Sequence, residues 1–175
     1  MNPCAGIDSA ALSRLAKTAA ISGLNDAMVE RLCSHFEWLT IAPGQAIIQE
    51  GDPSDFLLLV VDGNLEITKS GGVSQQLLGF ARPGSIIGEM GIFTSEPRYA
   101  TCRATQVSEV GLMTRARFHQ LQTQDIELYL ELIAFLGAQI ARRLTKVSNM
   151  VVALKQQNEI AKLAATRILD TAMAA

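Results

Sequence analysis

The chain lacks any apolar run long enough to cross a membrane. Apolar residues make up 49% of its 175 residues. The longest continuous stretch, Phe56 to Val61, nevertheless has the length of a β-strand rather than the roughly 18 residues of a membrane span. The N-terminus shows no basic start followed by an apolar segment, so no secretory signal is expected. Cys4, Cys33 and Cys102 are widely spaced and odd in number, which indicates idle thiols in a reducing compartment. These absences predict a cytoplasmic protein that does not enter the membrane.

An excess of positive charge and a catalytic motif are also missing. The formal net charge is −2, which argues against nonspecific binding of nucleic acid or acidic membranes. The sequence has no Gly-x-Ser-x-Gly, Walker A or His-Glu-x-x-His motif, and neither His35 nor His119 lies in a nucleophile pattern. Asp52 and Asp55 fit a Gly-Asp-Pro turn better than a metal site. We therefore expect a binding module rather than an enzyme, with no metal and no cofactor.

The sequence pattern changes from helix to strand and back to helix. Apolar residues at helical spacing predict one helix over residues 8–20 and a second after Asn25. From Trp38 to Arg117, short apolar runs separated by Gly, Pro and Asp predict many short antiparallel strands, as in a jelly-roll barrel. Asp62-Gly63 and Gly71-Gly72 are predicted as hairpin turns. The second helix is predicted to bury Met28, Val29, Leu32, Cys33 and Phe36.

From Arg115 onward glycine is scarce and helical spacing continues to the end of the chain. The expected fold class is therefore α+β and mainly β, a jelly-roll barrel with helices on either side. Three parts are expected: N-terminal helices over residues 1–37, a barrel core over 38–117 and C-terminal helices over 118–175.

The most informative segment is the stretch from residue 84 to residue 104. Gly88 and Gly91 allow tight turns that expose backbone N–H groups, and such groups together form an anion-binding concavity. Arg98 can close over a bound phosphate with charge-assisted hydrogen bonds. Glu89 would repel a phosphate, unless its role is to hold hydroxyl groups. An acid beside a phosphate cradle therefore indicates a ribose-phosphate ligand.

This segment resembles the phosphate-binding cassette of cyclic nucleotide-binding domains. Gly88 to Gly91 and Pro97 to Thr101 fit the cassette pattern without a gap. The stretches 42–45, 49–52 and 61–67 resemble the strand and turn motifs of the same family, and 137–144 resembles the long helix of bacterial catabolite-activator-type regulators. The resemblance covers about residues 24 to 148. Separated motifs in the right order are more specific than a glycine-rich loop alone.

The resemblance implies a role for each cassette residue. Glu89 would accept a hydrogen bond from the ribose 2′-OH, backbone N–H groups near Met90 and Tyr99 would face the cyclic phosphate, and Arg98 would neutralise its charge. The alternative for Glu89 and Arg98 is a mutual surface salt bridge, which is generally worth little. The implied ligand-binding residues are Gly88, Glu89, Met90, Gly91, Arg98, Tyr99, Ala100 and Ser148.

Two departures from the family pattern bear on the choice of base. Tyr99 stands where the family usually has a small or hydroxyl residue, so its ring must point away from the phosphate, cover the site or stack on another group. On the long helix, Val147-Ser148 stands where catabolite-activator-type proteins have Thr-Ser to reach adenine. The resemblance favours cAMP over cGMP as the ligand and leaves a cyclic dinucleotide open.

The C-terminal helix carries an unbroken heptad pattern. Apolar steps alternate between four and three residues from Ile133 to Ile168, with the polar Asn158 at an a position. Such an Asn fixes register and favours two strands. The alternative is an amphipathic helix packed on its own domain. We expect a parallel homodimer whose contacts include Leu144, Val147, Val151, Leu154 and Asn158.

These features combine into one working hypothesis and two alternatives. The hypothesis is a stand-alone dimeric receptor for a cyclic nucleotide that signals through an unknown effector protein. About 25 residues follow Met150, which leaves no room for a winged helix-turn-helix, so DNA is not the expected partner. One alternative is a ligand-free dimerisation scaffold that has lost its pocket. The other is a transcription regulator of the catabolite-activator family that binds DNA through Arg142, Arg143 and Lys146.

Overall fold

The computed structural model describes residues 26–72, 74–94 and 96–173, with side chains from Ala27 to Ala164. The helix predicted over residues 8–20 lies outside these ranges. The second predicted helix is present as α1, Asp26–Cys33. The apolar face predicted for it is confirmed, because the following residues are all buried: Met28, Val29, Leu32, Cys33 and Phe36.

In the described part of the chain, eight antiparallel strands form two four-stranded sheets. One sheet has the order β1-β8-β3-β6, and the other has the order β2-β7-β4-β5. The predicted jelly-roll of short strands is therefore confirmed. The strands are β1 (Glu37–Ile41), β2 (Ala46–Ile48), β3 (Phe56–Asp62), β4 (Leu65–Ser70), β5 (Gln75–Ala81), β6 (Ile86–Ile87), β7 (Thr101–Ala104) and β8 (Ser108–Thr114).

The core of the barrel lies between the two sheets, and β3 is an inner strand of one of them. Leu58 and Val60 belong to the buried apolar cluster that both sheets share. The neighbours that point the other way, Leu57, Leu59 and Val61, are equally buried. A strand covered on both faces has no position for a polar residue, which explains why β3 is a continuous apolar run rather than an alternating one.

One of the two predicted hairpin turns is confirmed, and the other is wrong. Gly71-Gly72 lies between β4 and β5, which pair antiparallel along their length. Asp62-Gly63 does not close a hairpin, because β3 and β4 belong to different sheets. Gly63 has φ +89° and a Cβ there would lie 2.2 Å from Ser108 Oγ, so the glycine serves a sharp change of sheet. Turn chemistry predicted the bend correctly but not the strand that follows it.

One short helix lies between two barrel strands, and two longer helices follow the barrel. Helix α2 is the one-turn helix Met90–Phe93 inside the glycine-rich segment. Helix α3 spans Arg115–Gln124 and begins at the Thr114 cap. Helix α4 spans Ile126–Met173, and its 48 residues correspond to a length of about 72 Å. Residue contacts divide the chain inside α4, into a unit that ends at Ile133 and a unit that begins at Ala134. No helix in the described part of the chain combines the length and apolar character that a membrane span requires.

An ion-pair network fixes the junction between α3 and α4. Arg31 on α1 donates from Nε to Asp125 Oδ2 at 3.0 Å and from Nη1 to Glu127 Oε2 at 2.9 Å. Asp125 Oδ1 also accepts a hydrogen bond from the Leu128 N–H at 3.1 Å and so caps the first turn of α4. These hydrogen bonds, the one from Arg31 foremost, lower the pKa of Asp125. The charged carboxylate is therefore the form that holds the junction.

We expect Asp125→Asn to lower the melting temperature at neutral pH, and this difference from wild type to vanish in acid. A carboxyl whose pKa is depressed by folding contributes stability above its unfolded pKa and loses it as the pH falls through the folded pKa. The measurement is a series of thermal melts of both proteins from neutral pH to below the ordinary aspartate range. Glu109→Gln, which removes an exposed carboxyl on β8, is the control for net charge. A difference that persists unchanged in acid would show that the Asp125 charge does not stabilise the junction.

Candidate ligand-binding site

The glycine-rich segment forms a tight turn between β6 and β7. Gly88 has φ +79°, a backbone conformation that side-chain-bearing residues rarely adopt. Glu89 follows and leads into α2, whose turn is closed by a hydrogen bond from the Ile92 N–H to the Glu89 carbonyl at 3.0 Å. The Gly91 N–H likewise donates to the Gly88 carbonyl at 3.1 Å. The two glycines that suggested an anion cradle therefore bracket one compact turn, with Glu89 buried inside it.

Arg98 is anchored to the same region through its backbone. Its N–H donates to the Asp52 carbonyl at 2.8 Å, and its carbonyl accepts from the Gly51 N–H at 2.9 Å. Thr101 adds a third link, because its Oγ1 accepts from the Glu50 N–H at 3.0 Å. The Gln-Glu-Gly-Asp stretch noted in the sequence is thus the segment that holds the arginine in place.

The Arg98 side chain is buried, and among the described residues no hydrogen-bonded partner neutralises its charge. The residue is 5% exposed, and its guanidinium carbon lies 4.1 Å from the centre of the Phe56 ring. Neither Nη1 nor Nη2 has a hydrogen-bond partner within the part of the chain that the structure describes. Burial lowers the pKa of Arg98, and the Asp55 carboxyl acts in the opposite direction. Arginine stays protonated at neutral pH even so, and a buried unpaired charge is costly unless a counter-ion supplies hydrogen bonds.

Gly88 is required by the position of this guanidinium. A Cβ on Gly88 would lie 2.5 Å from Arg98 Nη1 and 3.0 Å from the Phe56 carbonyl oxygen. Glu89 and Arg98 are each 5% exposed, so the alternative of a surface salt bridge does not describe them. The arrangement combines a compact turn, a buried carboxyl and a buried cation whose two terminal nitrogens have no hydrogen-bond partner among the described residues. Its chemistry suits an anion that also carries hydroxyl groups.

One protein family matches the part of the chain that contains this site. A family model for the cyclic nucleotide-binding domain matches residues 38–125, which include the strands from β2 to β8 and the whole turn around Gly88 and Arg98. The chain belongs to the cyclic nucleotide-binding domain family. The resemblance seen in the sequence is thereby confirmed, and the segment from Gly88 to Thr101 is called the phosphate cassette below.

Individual relatives place the same domain in different proteins. The chain is 28% identical over 128 residues to the cAMP-activated global transcriptional regulator Vfr of Pseudomonas aeruginosa, a match over 70% of this chain and 58% of Vfr. It is 33% identical over 94 residues to the cGMP-dependent protein kinase egl-4 of Caenorhabditis elegans, over 53% of this chain and 12% of the kinase. A cyclic nucleotide-binding domain from Methylobacillus flagellatus has a similar structure, with a TM-score of 0.68, 25% identity and coverage of 77% of this chain and 76% of that one. The chain therefore spans between about a tenth and three fifths of these curated relatives, and it matches their binding domain.

Tyr99 is the departure from the family pattern, and its ring stacks against a lysine. Lys69 Nζ on β4 lies 3.6 Å from the centre of the Tyr99 ring and donates to the Tyr99 carbonyl at 2.8 Å. Lys69 is held in turn by Glu50 Oε1 at 3.4 Å. The ring is 64% exposed, so it does not fill the buried space around the Arg98 guanidinium. Of the three options left by the sequence, stacking on another group is the one adopted.

The other candidate residues differ in their surroundings. Met90 is 55% exposed at the start of α2, whereas Gly91 is buried beside Ser54 and Ala100 is half-buried. Ser148 is exposed on α4 and belongs to the second unit of the chain. The structure therefore brings Gly88, Glu89, Gly91 and Arg98 together in one turn, with Met90, Tyr99 and Ala100 at its edges.

Sequence reasoning missed three residues of the site: Phe56, Lys69 and Arg115. Phe56 supplies the ring against which Arg98 lies, and Lys69 fixes Tyr99. Arg115 Nη2 donates to the carbonyls of Ser54 at 2.5 Å, Gly91 and Thr94 at 2.6 Å. Each lies on another strand or helix at a distance along the chain, so no local spacing pattern could have indicated it. The only signal was the position of Arg115 directly after the last strand.

Proposed function

We propose that the chain is a receptor for a cyclic nucleotide, with cAMP favoured over cGMP, that works as a binding and not a catalytic module in the cytoplasm. One observation carries the proposal: the buried guanidinium of Arg98, whose Nη1 and Nη2 lack hydrogen-bond partners within the described residues. A cyclic phosphate would supply the missing negative charge and acceptor oxygens. The scaffold alternative would leave the terminal nitrogens of this buried charge without hydrogen-bond acceptors among the described residues in every state of the protein, which is unfavourable.

Each cassette residue has a role in this proposal. Arg98 neutralises the phosphate, and backbone N–H groups near Met90 and Tyr99 donate to its oxygens. Glu89, buried in the turn, accepts a hydrogen bond from the ribose 2′-OH. The relative Vfr, whose match covers more of this chain than that of egl-4, is cAMP-activated. This relationship favours adenine as the base.

The proposal is tested by calorimetric titration of the full chain with cAMP, cGMP and a cyclic dinucleotide. We expect saturable binding with one site per chain and tighter binding of cAMP than of cGMP. 5′-AMP is the matched control ligand, because it keeps the base and ribose but lacks the cyclic phosphate. The absence of heat and of any thermal shift with all cyclic ligands would contradict the receptor and support the scaffold.

We expect Tyr99→Ser to change the affinity for cAMP by no more than about twofold, the scale of an ordinary surface substitution. The ring is exposed and stacks on Lys69 rather than filling the space at Arg98. The measurement is the same titration on the variant. A large gain in affinity would mean that the ring obstructs the pocket, and a large loss would mean that the ring contacts the base.

Helix α4 is proposed to form a parallel homodimer that passes the signal to an effector protein. Its predicted seam residues are apolar and exposed in a single copy: Leu144 is 65%, Val147 55%, Val151 45% and Leu154 56% exposed. A row of exposed apolar side chains at heptad spacing marks a surface that a partner helix covers. Asn158 at the a position of this row selects a two-stranded, in-register partner, which a second copy of the chain supplies.

Replacing both Val151 and Leu154 with aspartate is expected to convert the dimer into a monomer. Facing charges in the seam would be buried without partners, at a cost that an exposed helix surface does not impose. Sedimentation equilibrium of the variant gives the mass directly. The matched control replaces Ala153 and Gln156, at the outer c and f positions, with aspartate. A dimeric mass for the seam variant, or a monomeric mass for wild type, would contradict the proposed interface.

A further inference from the structure

We propose that Arg115 is a positioning residue that holds the phosphate cassette in its binding conformation and ties it to helix α3. For its effect on nucleotide affinity, the inference rests on the proposed function. Arg115 is the first residue of α3, and its N–H donates to the Asp55 carbonyl at 2.7 Å. Its side chain reaches back to the carbonyl oxygens of Ser54, Gly91 and Thr94. One residue thus connects the loop before β3, the cassette helix α2 and the start of α3.

Arg98 and Arg115 form hydrogen bonds with opposite ends of the same loop, residues 51–55. Arg98 pairs through its backbone with Gly51 and Asp52, and Arg115 binds the carbonyls of Ser54 and Asp55. The loop therefore cannot move without disturbing both. Gly91 packs directly on it, because a Cβ at Gly91 would lie 1.9 Å from Ser54 Oγ. The conformation of the cassette therefore depends on the carbonyl groups that accept hydrogen bonds from Arg115.

Arg115 cannot form all of its possible hydrogen bonds at the same time. Nη2 carries two hydrogens, yet three carbonyl oxygens approach it. Its Nε is buried and has no hydrogen-bond partner within the described residues. Arg115 Nη2 therefore has more acceptors than it can serve, and a shift of α2 relative to α3 would change which carbonyls it binds. A ligand that fits one such arrangement better would favour it.

An aromatic contact runs beside this polar link. Phe93 at the end of α2 meets Phe118 on α3 edge-on, with ring centres 6.2 Å apart, and Phe118 meets Tyr129 on α4 at 5.2 Å. Phe118 is almost fully buried. A change in the position of α2 therefore affects α3 through two contacts. One is the packing of Phe93 on Phe118, and the other is the set of hydrogen bonds from Arg115, which depend on direction. Arg115 also acts on Arg98 as a like charge, which adds to the lowering of the pKa of Arg98 by burial.

The test combines nucleotide titration with amide hydrogen exchange on the full chain. Arg115→Gln is expected to weaken cAMP binding by about tenfold, the scale of one lost hydrogen bond from a charged group. Arg115→Lys should recover part of the affinity, since it keeps the charge but not the planar fork. Without nucleotide, Arg115→Gln should speed exchange at the amides of Ile92 to Thr94 and leave the strands unchanged. Arg103→Gln is the control, because Arg103 Nη1 also donates to a carbonyl, that of Gly44, but away from the cassette.

Three results would separate the possibilities. If Arg115→Gln binds like wild type and exchanges like Arg103→Gln, the positioning role is wrong. If exchange rises in all strands and Arg115→Lys restores nothing, Arg115 only stabilises the fold and the inference also fails. If wild type binds no cyclic nucleotide, the proposed function fails, and faster exchange confined to α2 and residues 51–55 in Arg115→Gln would still support the positioning role.

Discussion

Arg98→Gln is expected to weaken cyclic nucleotide binding by roughly 100-fold or more while the ligand-free protein stays as stable as wild type or becomes more stable. The guanidinium is 5% exposed, and its terminal nitrogens have no hydrogen-bond partners in the described part of the chain. Removing a charge that is buried and has no hydrogen-bonded counter-ion among the described residues relieves a desolvation cost in the ligand-free state. Removing two charge-assisted hydrogen bonds to a phosphate costs about 3 kcal/mol or more, which is roughly a 100-fold loss of affinity. Calorimetric titration and urea unfolding of both proteins measure the two effects.

The two expected effects of Arg98→Gln differ in direction: the affinity falls, whereas the stability is unchanged or rises. A residue with a purely structural role would lose stability and affinity together. Arg103→Gln serves as control, because it removes an arginine on β7 whose Nη1 donates to the Gly44 carbonyl, outside the cassette. If Arg98→Gln unfolds at lower urea concentration than wild type and still binds cAMP, then Arg98 supports the fold and the ligand is held elsewhere.

The parts of this protein that follow from local sequence were predictable. The run from Phe56 to Val61 is a strand because a continuous apolar segment of that length suits the centre of a covered sheet. Gly71-Gly72 closes a hairpin because its two flanking strands are neighbours in the same sheet. The cassette is recognisable because its turn is local in sequence and begins at Gly88, whose φ of +79° favours glycine. In each case the deciding interactions lie within a few positions along the chain.

The parts that depend on distant residues were not predictable. Asp62-Gly63 has the chemistry of a hairpin turn, but the next strand joins the other sheet, where it pairs with β5 and β7. The orientation of the Tyr99 ring is set by Lys69, and Arg115 meets Ser54 across 61 positions of sequence. Residue type alone does not reveal which distant side chain will fill a given space. The sequence therefore indicated the cassette more clearly than the distant residues that hold it in place.

Gly88→Ala is expected to weaken cyclic nucleotide binding by about tenfold to 100-fold, the cost of losing one charge-assisted hydrogen bond. At φ +79° an alanine costs about 1–2 kcal/mol of stability for its backbone conformation alone. The added methyl would also lie 2.5 Å from Arg98 Nη1 and 3.0 Å from the Phe56 carbonyl oxygen. The flexible arginine is the group that gives way, so its guanidinium leaves the position from which it faces the phosphate.

Gly44→Ala separates the steric effect from the backbone effect. Gly44 has φ +80°, nearly the same as Gly88, and a Cβ there meets no atom within 4 Å. Both variants should therefore lose stability in urea unfolding, Gly88→Ala at least as much as Gly44→Ala because its methyl also crowds the Phe56 carbonyl, and only Gly88→Ala should lose affinity in the titration. Equal affinity in the two variants would mean that Arg98 does not need its present position, which would remove the buried guanidinium as the basis of the site. A loss confined to Gly88→Ala would show that this glycine is required to leave space for the guanidinium, in addition to making the turn.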